Sequence, residues 1–407
     1  MFSADFSAEA IHGLYKMENI INSFDSLYKA YKNTRSGKKK NTAALEYELN
    51  AVERTLRLSE SLQNRDYTFG PYFPFTVYEP KERLVLALDF QSKVVLHSFC
   101  DNLLVPVFFK RFITDNYAGQ IGKGTHFGLD RLAENMRHYY FSRKQADNEA
   151  RKAAGLPYRC REEWDYAEGW VLKGDFSKFY YSINREICYN KAAETLKKAV
   201  DDAELLDFSL WLLKQVIDSA PNTGLPLGNQ SSSPLALLYL DGLDHLLTDE
   251  LGLVYGRYMD DFYIIHSDKL ALKNILKTIR KYTEPLGIVL NGKTQIFPLK
   301  NGIDFLGYHS YLTESGKVVR KVRERSINNM RRKIRKYRGK VNRGEMTLEQ
   351  VRQSYTSWIG HISHGNTHRL KQNTDALFYA VFPELKPKIS AKKRGIKPED
   401  QERIISV

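Results

Sequence analysis

Apolar residues recur along much of the chain at three- and four-residue spacing, the period of an amphipathic helix. Near the start this spacing is shown by Ile20, Ile21, Phe24, Leu27 and Tyr31. Between the helical stretches, short runs of β-branched and aromatic residues bounded by glycine or proline predict strands. The pattern therefore predicts an α+β fold, with helices within 1–70 and at 91–109, 203–218, 235–247, 270–286 and 348–382, and strands near 75–78, 84–87, 170–174, 253–258, 262–265 and 290–296.

Two of these apolar runs, 253–258 and 262–265, are separated by a turn that includes the adjacent acids Asp260 and Asp261. In a continuous strand, neighbouring side chains point to opposite faces, so only a tight turn brings both carboxylates together. We therefore predict a β-hairpin with the acids at its tip. An ordinary turn is the alternative, because Asp is common in turns. Burying unpaired carboxylates would be unfavourable, however, and a divalent cation would offset that.

A third acid, Asp175, ends another apolar run. Together Asp175, Asp260 and Asp261 could hold two Mg²⁺ ions, because a hard cation prefers carboxylate oxygens. One ion would lower the pKa of a primer 3′-hydroxyl and the other would neutralise a triphosphate, which favours an in-line displacement. Tyr180 has a ring large enough to block a sugar 2′-hydroxyl. Without the acids, a packed core aromatic would be the better interpretation of Tyr180.

Further candidate nucleotide contacts lie in extended segments and loops. Lys81 and Arg83 would point the same way from an extended chain, which suits a triphosphate and equally a solvated basic turn. The loop around Leu227 and Gly228 has small neighbours that could lie flat under a base pair, although a plain helix-capping loop would look the same. Lys293, just after an Asn-Gly turn, could lie near a leaving pyrophosphate.

Two other segments have less defined roles. At 119–124, three glycines flank Lys123, and the exposed backbone N–H groups could bind phosphates or belong to a simple loop. The spacing does not match a P-loop. Residues 143–168 are charged and poorly periodic, which predicts a surface insertion.

Charge is concentrated in one part of the chain. The 407 residues include 62 Lys plus Arg against 48 Asp plus Glu, a net charge of +14, which favours nucleic acid, or next an anionic membrane surface, as a partner. Between 317 and 343, thirteen Lys or Arg accompany a single acid, Glu324. Such a stripe predicts contacts with a phosphate backbone, with a solvated helix as the alternative. The candidate contacts are Arg320, Arg323, Arg331, Arg332, Lys333, Arg335 and Lys336.

The N-terminus has no secretory signal pattern, and no apolar run reaches 18 residues, so we expect a soluble protein without a membrane partner. The three cysteines, Cys100, Cys160 and Cys188, are too few and too scattered for a disulfide framework or a zinc site. They are typical of thiols in a reducing cytoplasm.

The order of these motifs resembles bacterial and phage reverse transcriptases of the retroelement group that includes group II introns, retrons and diversity-generating retroelements. The resemblance covers about 67–316 and rests on the Tyr258-Met259-Asp260-Asp261 run, on Asp175 with Tyr180, and on Gly307. It implies a right-hand polymerase. In that fold, 1–66 would be an N-terminal helical extension, 67–316 the fingers and palm, and 317–407 a basic helical thumb and C-terminal tail.

The resemblance also implies an activity, RNA-directed DNA polymerisation with two Mg²⁺ ions. The residues that match the family's motifs are its metal-binding acids Asp175, Asp260 and Asp261, its ribose-selecting Tyr180, its fingers contacts Lys81 and Arg83, and Lys293 near the leaving group. The implied partners are a template RNA from a neighbouring noncoding gene, a DNA primer or cDNA, dNTPs and an accessory protein.

One departure from the family is informative. Most members have Gln before the glycine of the Leu-Pro-x-Gly loop, where this chain has Leu227. The Leu-Gly-Asn-x-x-Ser form resembles error-prone diversity-generating retroelements, although their usual Gln two places after Ser231 is here Ser233. Losing an amide that bonds the incoming nucleotide would weaken discrimination by ~0.5–1.5 kcal/mol. We therefore expect reduced fidelity.

The biological role stays open at this point. Stand-alone reverse transcriptases of antiphage defence, including abortive-infection types, share the same architecture. A different class of function, an RNA-binding scaffold with a vestigial site, is disfavoured by the three intact acids with Tyr180 and Lys293. A phosphoryl-transfer enzyme of another fold would need a P-loop or kinase signature, and the chain has neither.

Overall fold

The computed structural model describes residues 20–38, 41–78, 82–160, 163–221 and 223–387. The chain divides into two compact units. The first unit is Met1–Gly302 with Leu312–Lys317, and the second is Ile303–Tyr311 with Val318–Val407. Within the described residues, no helix combines the length and the apolar character needed to cross a bilayer.

Helices begin the described part of the first unit, as the apolar periodicity predicts. Ser23 caps the first of them by accepting a hydrogen bond from the Ser26 N–H, which satisfies one donor of the opening turn. The hydroxyl of Ser98 donates to the Ile21 carbonyl and so ties the fourth helix to the start of the described chain. In order, the helices are α1 (Phe24–Arg35), α2 (Thr42–Leu49), α3 (Ala51–Gln63), α4 (Phe90–Phe99) and, after a π-helical turn at Cys100–Leu104, α5 (Val105–Phe108).

A two-stranded antiparallel hairpin interrupts these helices. It consists of β1 (Tyr72–Val77) and β2 (Arg83–Leu88). Leu86 and Leu88 are buried, whereas the alternate residues of β1, Phe73 and Phe75, are exposed. One face of the hairpin therefore packs on the unit and the other faces solvent.

A four-stranded antiparallel sheet forms the centre of the first unit. Its strands are β3 (Trp170–Asp175), β4 (Val254–Tyr258), β5 (Asp261–His266) and β6 (Gln295–Pro298), in the spatial order β4-β5-β3-β6. Leu172, Phe262 and Ile264 are fully buried on one face and belong to the main core. Antiparallel sheets with packed helices confirm the predicted α+β class.

The helices around this sheet begin and end close to the predicted positions. The predicted helix at 203–218 is present with those limits, whereas the one at 235–247 breaks at Leu240, where the backbone leaves the helical region (φ −109°, ψ 8°). The helices are α6 (Thr125–Ala153), α7 (Phe179–Ser182), α8 (Arg185–Ala199), α9 (Ala203–Asp218), α10 (Ser232–Tyr239), α11 (Asp241–His245), with a π-helical turn at Leu246–Glu250, and α12 (Lys269–Thr283).

The first part of the predicted surface insertion at 143–168 is mostly exposed, but it is helical. Helix α6 continues without a break to Ala153. This stretch consists mostly of residues with good helix propensity and buries little apolar surface, so helical backbone forms there without apolar periodicity. Arg143 stacks on the ring of Trp164 at 5.0 Å, which fastens the following segment to the helix.

Up to residue 387, where the description ends, the second unit combines a small sheet with three helices. Tyr355 and Phe378 stack in its core with ring centroids 3.8 Å apart, and the Tyr355 hydroxyl donates to Asp375. An antiparallel hairpin in this unit consists of β7 (Ile303–Phe305) and β8 (Tyr308–Leu312). The remaining elements are β9 (Val318–Val322), α13 (Glu324–Asn342), α14 (Leu348–Ile362), α15 (His368–Val381) and a 3-10 turn at Pro383–Leu385.

Candidate active site

The three acids lie at one end of the central sheet. Asp175 ends β3 and Asp261 begins β5, and the two are direct partners in the antiparallel ladder, so their side chains leave the same face. Asp260 occupies the turn between β4 and β5, as predicted. The turn needs Met259 in the left-handed region (φ +55°), which is uncommon for a residue with a side chain. A strained turn thus brings Asp260 next to the ladder.

The carboxyl groups of Asp175 and Asp260 converge. Partial burial raises the pKa of Asp260, and the nearby charge of Asp175 adds to this effect, bringing the pKa to about 6. Arg83 on β2 acts in the opposite direction and lowers the pKa of Asp260. The hairpin β1–β2 therefore presents a cation to the two converging acids.

Asp261 has a different partner. The ammonium group of Lys173, two residues before Asp175 on β3, forms an ion pair with the Asp261 carboxylate. Among the described residues, no group of three His, Cys, Asp or Glu side chains is arranged to hold a metal ion by itself. Mg²⁺ in polymerase-type sites is bound by one or two carboxylates together with substrate phosphates. The Asp175–Asp260 pair fits that requirement in its donor chemistry.

Asn291 is a site residue that sequence reasoning missed. Its side-chain amide donates to Asp175 Oδ2 at 3.2 Å, and its backbone N–H donates to the Asp175 carbonyl at 2.7 Å. Its Oδ1 accepts from the backbone N–H of Lys293 at 3.0 Å, while the Lys293 side chain is exposed. One amide thus links the first acid to the predicted leaving-group lysine. The only sequence signal was the Asn-Gly pair, which predicts a turn but does not predict that Asn291 contacts Asp175.

Tyr180 lies against the strained turn. Its hydroxyl is 3.4 Å from the Met259 sulfur, and burial raises the pKa of Tyr180 to about 12. Tyr180 therefore packs on the core and also lies beside Asp260.

The loop with Leu227 and Gly228 contacts β2 directly. The Leu86 N–H donates to the Leu227 carbonyl at 2.9 Å. Gly228 has a φ of +117°, and a Cβ there would approach a methyl carbon of Val85 to 2.8 Å, so only glycine allows this close packing. Arg83, Leu227 and Gly228 are thereby held in one neighbourhood. Lys81 lies outside the described residues.

The glycine-rich loop at 119–124 has a structural explanation. The ammonium group of Lys123 donates to the carbonyls of Ile113, Thr114 and Asn116 at 3.1–3.2 Å. Three carbonyl acceptors match the three donors of a lysine. This lysine therefore closes the loop, and the simple-loop interpretation is favoured over phosphate binding.

In the second unit, α13 separates apolar from basic residues. Met330 and Ile334 are buried in the core of that unit, whereas Arg331, Arg332, Arg335 and Lys336 are exposed. Lys333 is half-buried. Two of the other predicted contacts have protein partners, because Arg320 donates to the His364 carbonyl and Arg323 lies 3.5 Å from Asp304.

Comparisons with known proteins point to one type of domain. Residues 142–310 match the model of the family described as "Reverse transcriptase (RNA-dependent DNA polymerase)". No curated protein sequence matches the chain.

Solved telomerase structures show some similarity. Apo telomerase from Candida tropicalis has a TM-score of 0.43 and 13% identity, over 64% of this chain and 49% of that one. Telomerase from Candida albicans in complex with a fragment of telomeric RNA has a TM-score of 0.43 and 12% identity, over 82% and 65%. This chain thus spans about half to two thirds of their length, and similarity at this level supports no inference about it. Residues 142–310 thus match a reverse transcriptase domain, and all four strands of the antiparallel sheet bearing the acids lie within that range.

Proposed function

We propose that the protein is an RNA-directed DNA polymerase that copies a noncoding RNA into DNA by two-metal nucleotidyl transfer. The observation that carries the proposal is the convergence of Asp175 and Asp260 beside Arg83 in a partly buried corner. Like charges so placed repel each other, and a divalent cation relieves the repulsion. The match of 142–310 to the reverse transcriptase family supports the same chemistry.

In this proposal each site residue has a distinct task. Bound Mg²⁺ would activate the primer 3′-hydroxyl and neutralise the triphosphate. Asp175, Asp260 and Asp261 would hold the ions, and Arg83 would bind phosphate oxygens. Tyr180 would exclude a 2′-hydroxyl, and the loop with Leu227 and Gly228 would support the nascent base pair. The remaining proposed nucleotide contacts are Lys81 and Lys293.

The wider assignment follows from the same proposal. Residues 67–316 would form the fingers and palm, and 317–407 the thumb and tail, with 1–66 as a helical extension. The exposed cations of α13 would bind the template–primer, and an accessory protein would act with the polymerase in the cytoplasm.

The direct test is incorporation of labelled dNTPs by the full-length protein on a primed RNA template with Mg²⁺. We expect extension with dNTPs, little with NTPs, and none after chelation of the metal. The proposal is supported if the unmodified protein extends the primer and the variant with both Asp260 and Asp261 replaced by asparagine does not. If the unmodified protein extends no primer on the supplied RNA or on co-purifying RNA, an RNA-binding scaffold with a vestigial site would replace the polymerase as the proposed function.

The pKa of Asp260 predicts a pH dependence for stabilisation by Mg²⁺. A carboxyl group whose pKa is raised in the folded state favours folding at low pH, and this contribution is lost as pH rises from about 4 to about 6. Protons also compete with the cation below pH 6. The Mg²⁺-induced increase in Tm should therefore be small at pH 5 and larger at pH 7.5, as measured by thermal unfolding.

The control for this experiment is Asp260→Asn, which cannot titrate. It should show no such increase between the two pH values. An equal Mg²⁺ effect at pH 5 and pH 7.5 in the unmodified protein would contradict the assignment of Asp260 as a metal ligand.

We further propose that the enzyme belongs with retroelement reverse transcriptases of low fidelity. Leu227 offers no amide to the incoming nucleotide, while its backbone carbonyl is fixed by Leu86. The change Leu227→Gln keeps that backbone bond and restores the amide. We expect it to lower the misincorporation rate by roughly two- to tenfold, the equivalent of one hydrogen bond. Sequencing of cDNA copied from one defined RNA measures this, and an unchanged or higher error rate in the variant would refute the proposal.

A further inference from the structure

A fully buried charge lies directly beside the candidate site. Arg257 on β4 has no exposed surface, and its partner Asp244 on α11 is 1% exposed. Arg257 Nε donates to Asp244 Oδ1 at 2.7 Å and Nη2 donates to Oδ2 at 2.5 Å. Removing two charges from water costs free energy, and this cost often cancels their attraction. A buried ion pair then stabilises the fold no more than apolar residues of the same volume would. Stability alone therefore does not account for this pair.

The third nitrogen of the guanidinium reaches the strained turn. Arg257 Nη1 donates to the Met259 carbonyl at 2.9 Å. That carbonyl belongs to the peptide joining Met259 to Asp260, and Met259 has the left-handed φ of +55°. A carbonyl held by a rigid, fork-shaped donor cannot rotate freely, so the bond fixes the peptide plane from which the Asp260 side chain departs.

Several elements hold the pair in place. Asp244 accepts further hydrogen bonds from the Tyr255 hydroxyl at 2.7 Å and the Asn116 amide at 3.1 Å. The backbone of Arg257 exchanges hydrogen bonds of 2.9 Å with Asp115 and Tyr117. The carboxylate thus has its lone pairs satisfied, which is the condition under which a buried pair is well ordered.

We propose that Arg257 is a positioning residue. Anchored by Asp244, it holds the Met259–Asp260 peptide and thereby sets where the Asp260 carboxylate meets a divalent cation. The inference rests on the proposed function, because it assigns a role within the same site. Arg257 does not touch the reacting atoms and acts only through the turn.

The competing explanation is that Arg257 serves stability alone. The two explanations predict different effects of a conservative substitution of Arg257 on cation affinity. A positioning residue alters cation affinity in protein that is still folded, because outer-shell partners of metal ligands affect affinity as well as activity. A residue that serves stability alone lowers Tm and leaves the affinity of the folded protein unchanged.

The test compares Arg257→Lys with Tyr47→Phe in the full chain. Lysine keeps the charge opposite Asp244, but its single nitrogen cannot also reach the Met259 carbonyl. The Tyr47→Phe control removes a buried hydrogen bond between α2 and α3, to Thr55 at 3.1 Å, and leaves every bond of Arg257 and Asp244 in place. The readouts are Tm, Mn²⁺ binding measured by electron paramagnetic resonance without nucleotide, and the Mg²⁺ concentration that half-saturates dNTP incorporation.

We expect Arg257→Lys to weaken Mn²⁺ binding and raise the half-saturating Mg²⁺ concentration by roughly tenfold or more. Tyr47→Phe should lower Tm with both metal readouts unchanged. If Arg257→Lys does not fold, Asp244→Asn provides the second variant, since it loosens the anchor and should shift Mn²⁺ binding in the same direction.

Unchanged Mn²⁺ affinity in a folded Arg257→Lys or Asp244→Asn variant would overturn the inference. Mn²⁺ binding by an unmodified protein that incorporates no dNTP would refute the polymerase function, while the comparison of Mn²⁺ affinities would still decide the role of Arg257.

Discussion

Replacing Asp260 with asparagine is expected to reduce dNTP incorporation on a primed RNA template by at least about 10³-fold, because metal-held charge stabilisation at the transferred phosphoryl group is worth several kcal/mol. Asparagine has nearly the same volume, so the turn at Met259 should keep its shape. The convergence of Asp175 and Asp260 makes the same result expected for Asp175→Asn. Single-turnover extension of a labelled primer measures the effect on the chemical step.

A matched control is available on α9. Asp218 is an exposed carboxylate that pairs with Lys214 one turn away, and surface pairs of this kind contribute little. Asp218→Asn should therefore extend primers at the rate of the unmodified protein. Activity of Asp260→Asn within tenfold of that rate would show that the converging acids are not the catalytic ones.

The second large effect is expected on nucleic-acid affinity. Replacing Arg331, Arg332, Arg335 and Lys336 with glutamine removes four exposed positive charges from α13 while keeping good helix formers. We expect affinity for an RNA–DNA template–primer to fall by roughly 10²-fold at about 0.1 M salt, because each phosphate contact releases about one counterion. The slope of log affinity against log salt should become shallower by up to about 3.

Helix α12 supplies the control for this experiment. Four of its five exposed cations are Lys273, Lys277, Arg280 and Lys281. Their replacement with glutamine changes the net charge by the same amount on a different surface. Fluorescence anisotropy of a labelled template–primer at several KCl concentrations compares the two variants. Equal losses in both would mean that overall charge, and not the α13 stripe, attracts the nucleic acid.

Local patterns in the sequence were enough to predict most secondary-structure elements and the position of the acids. The α9 helix and the hairpin with Asp260 at its turn follow from apolar spacing and from the break between two apolar runs, both of which involve residues near each other in the chain. Local patterning was insufficient for the second half of α6, because that stretch is helical by propensity and not by burial.

Contacts between distant parts of the chain decided the rest. Asn291 meets Asp175 across 116 positions, and no periodicity relates the two. The sequence also contained no sign that Lys173 pairs with Asp261 or that Lys123 donates hydrogen bonds to three backbone carbonyls.

The sequence by itself therefore determined the α+β class, most of the helices and strands, and the acids with the hairpin that carries two of them, because these depend on local spacing and turn chemistry. Only the tertiary structure decided which acids converge, how the Arg257–Asp244 pair reaches the turn and which cations have protein partners. Those relations depend on strand register and on packing between residues far apart in the chain, where side-chain directions are set by neighbours that the local sequence does not specify.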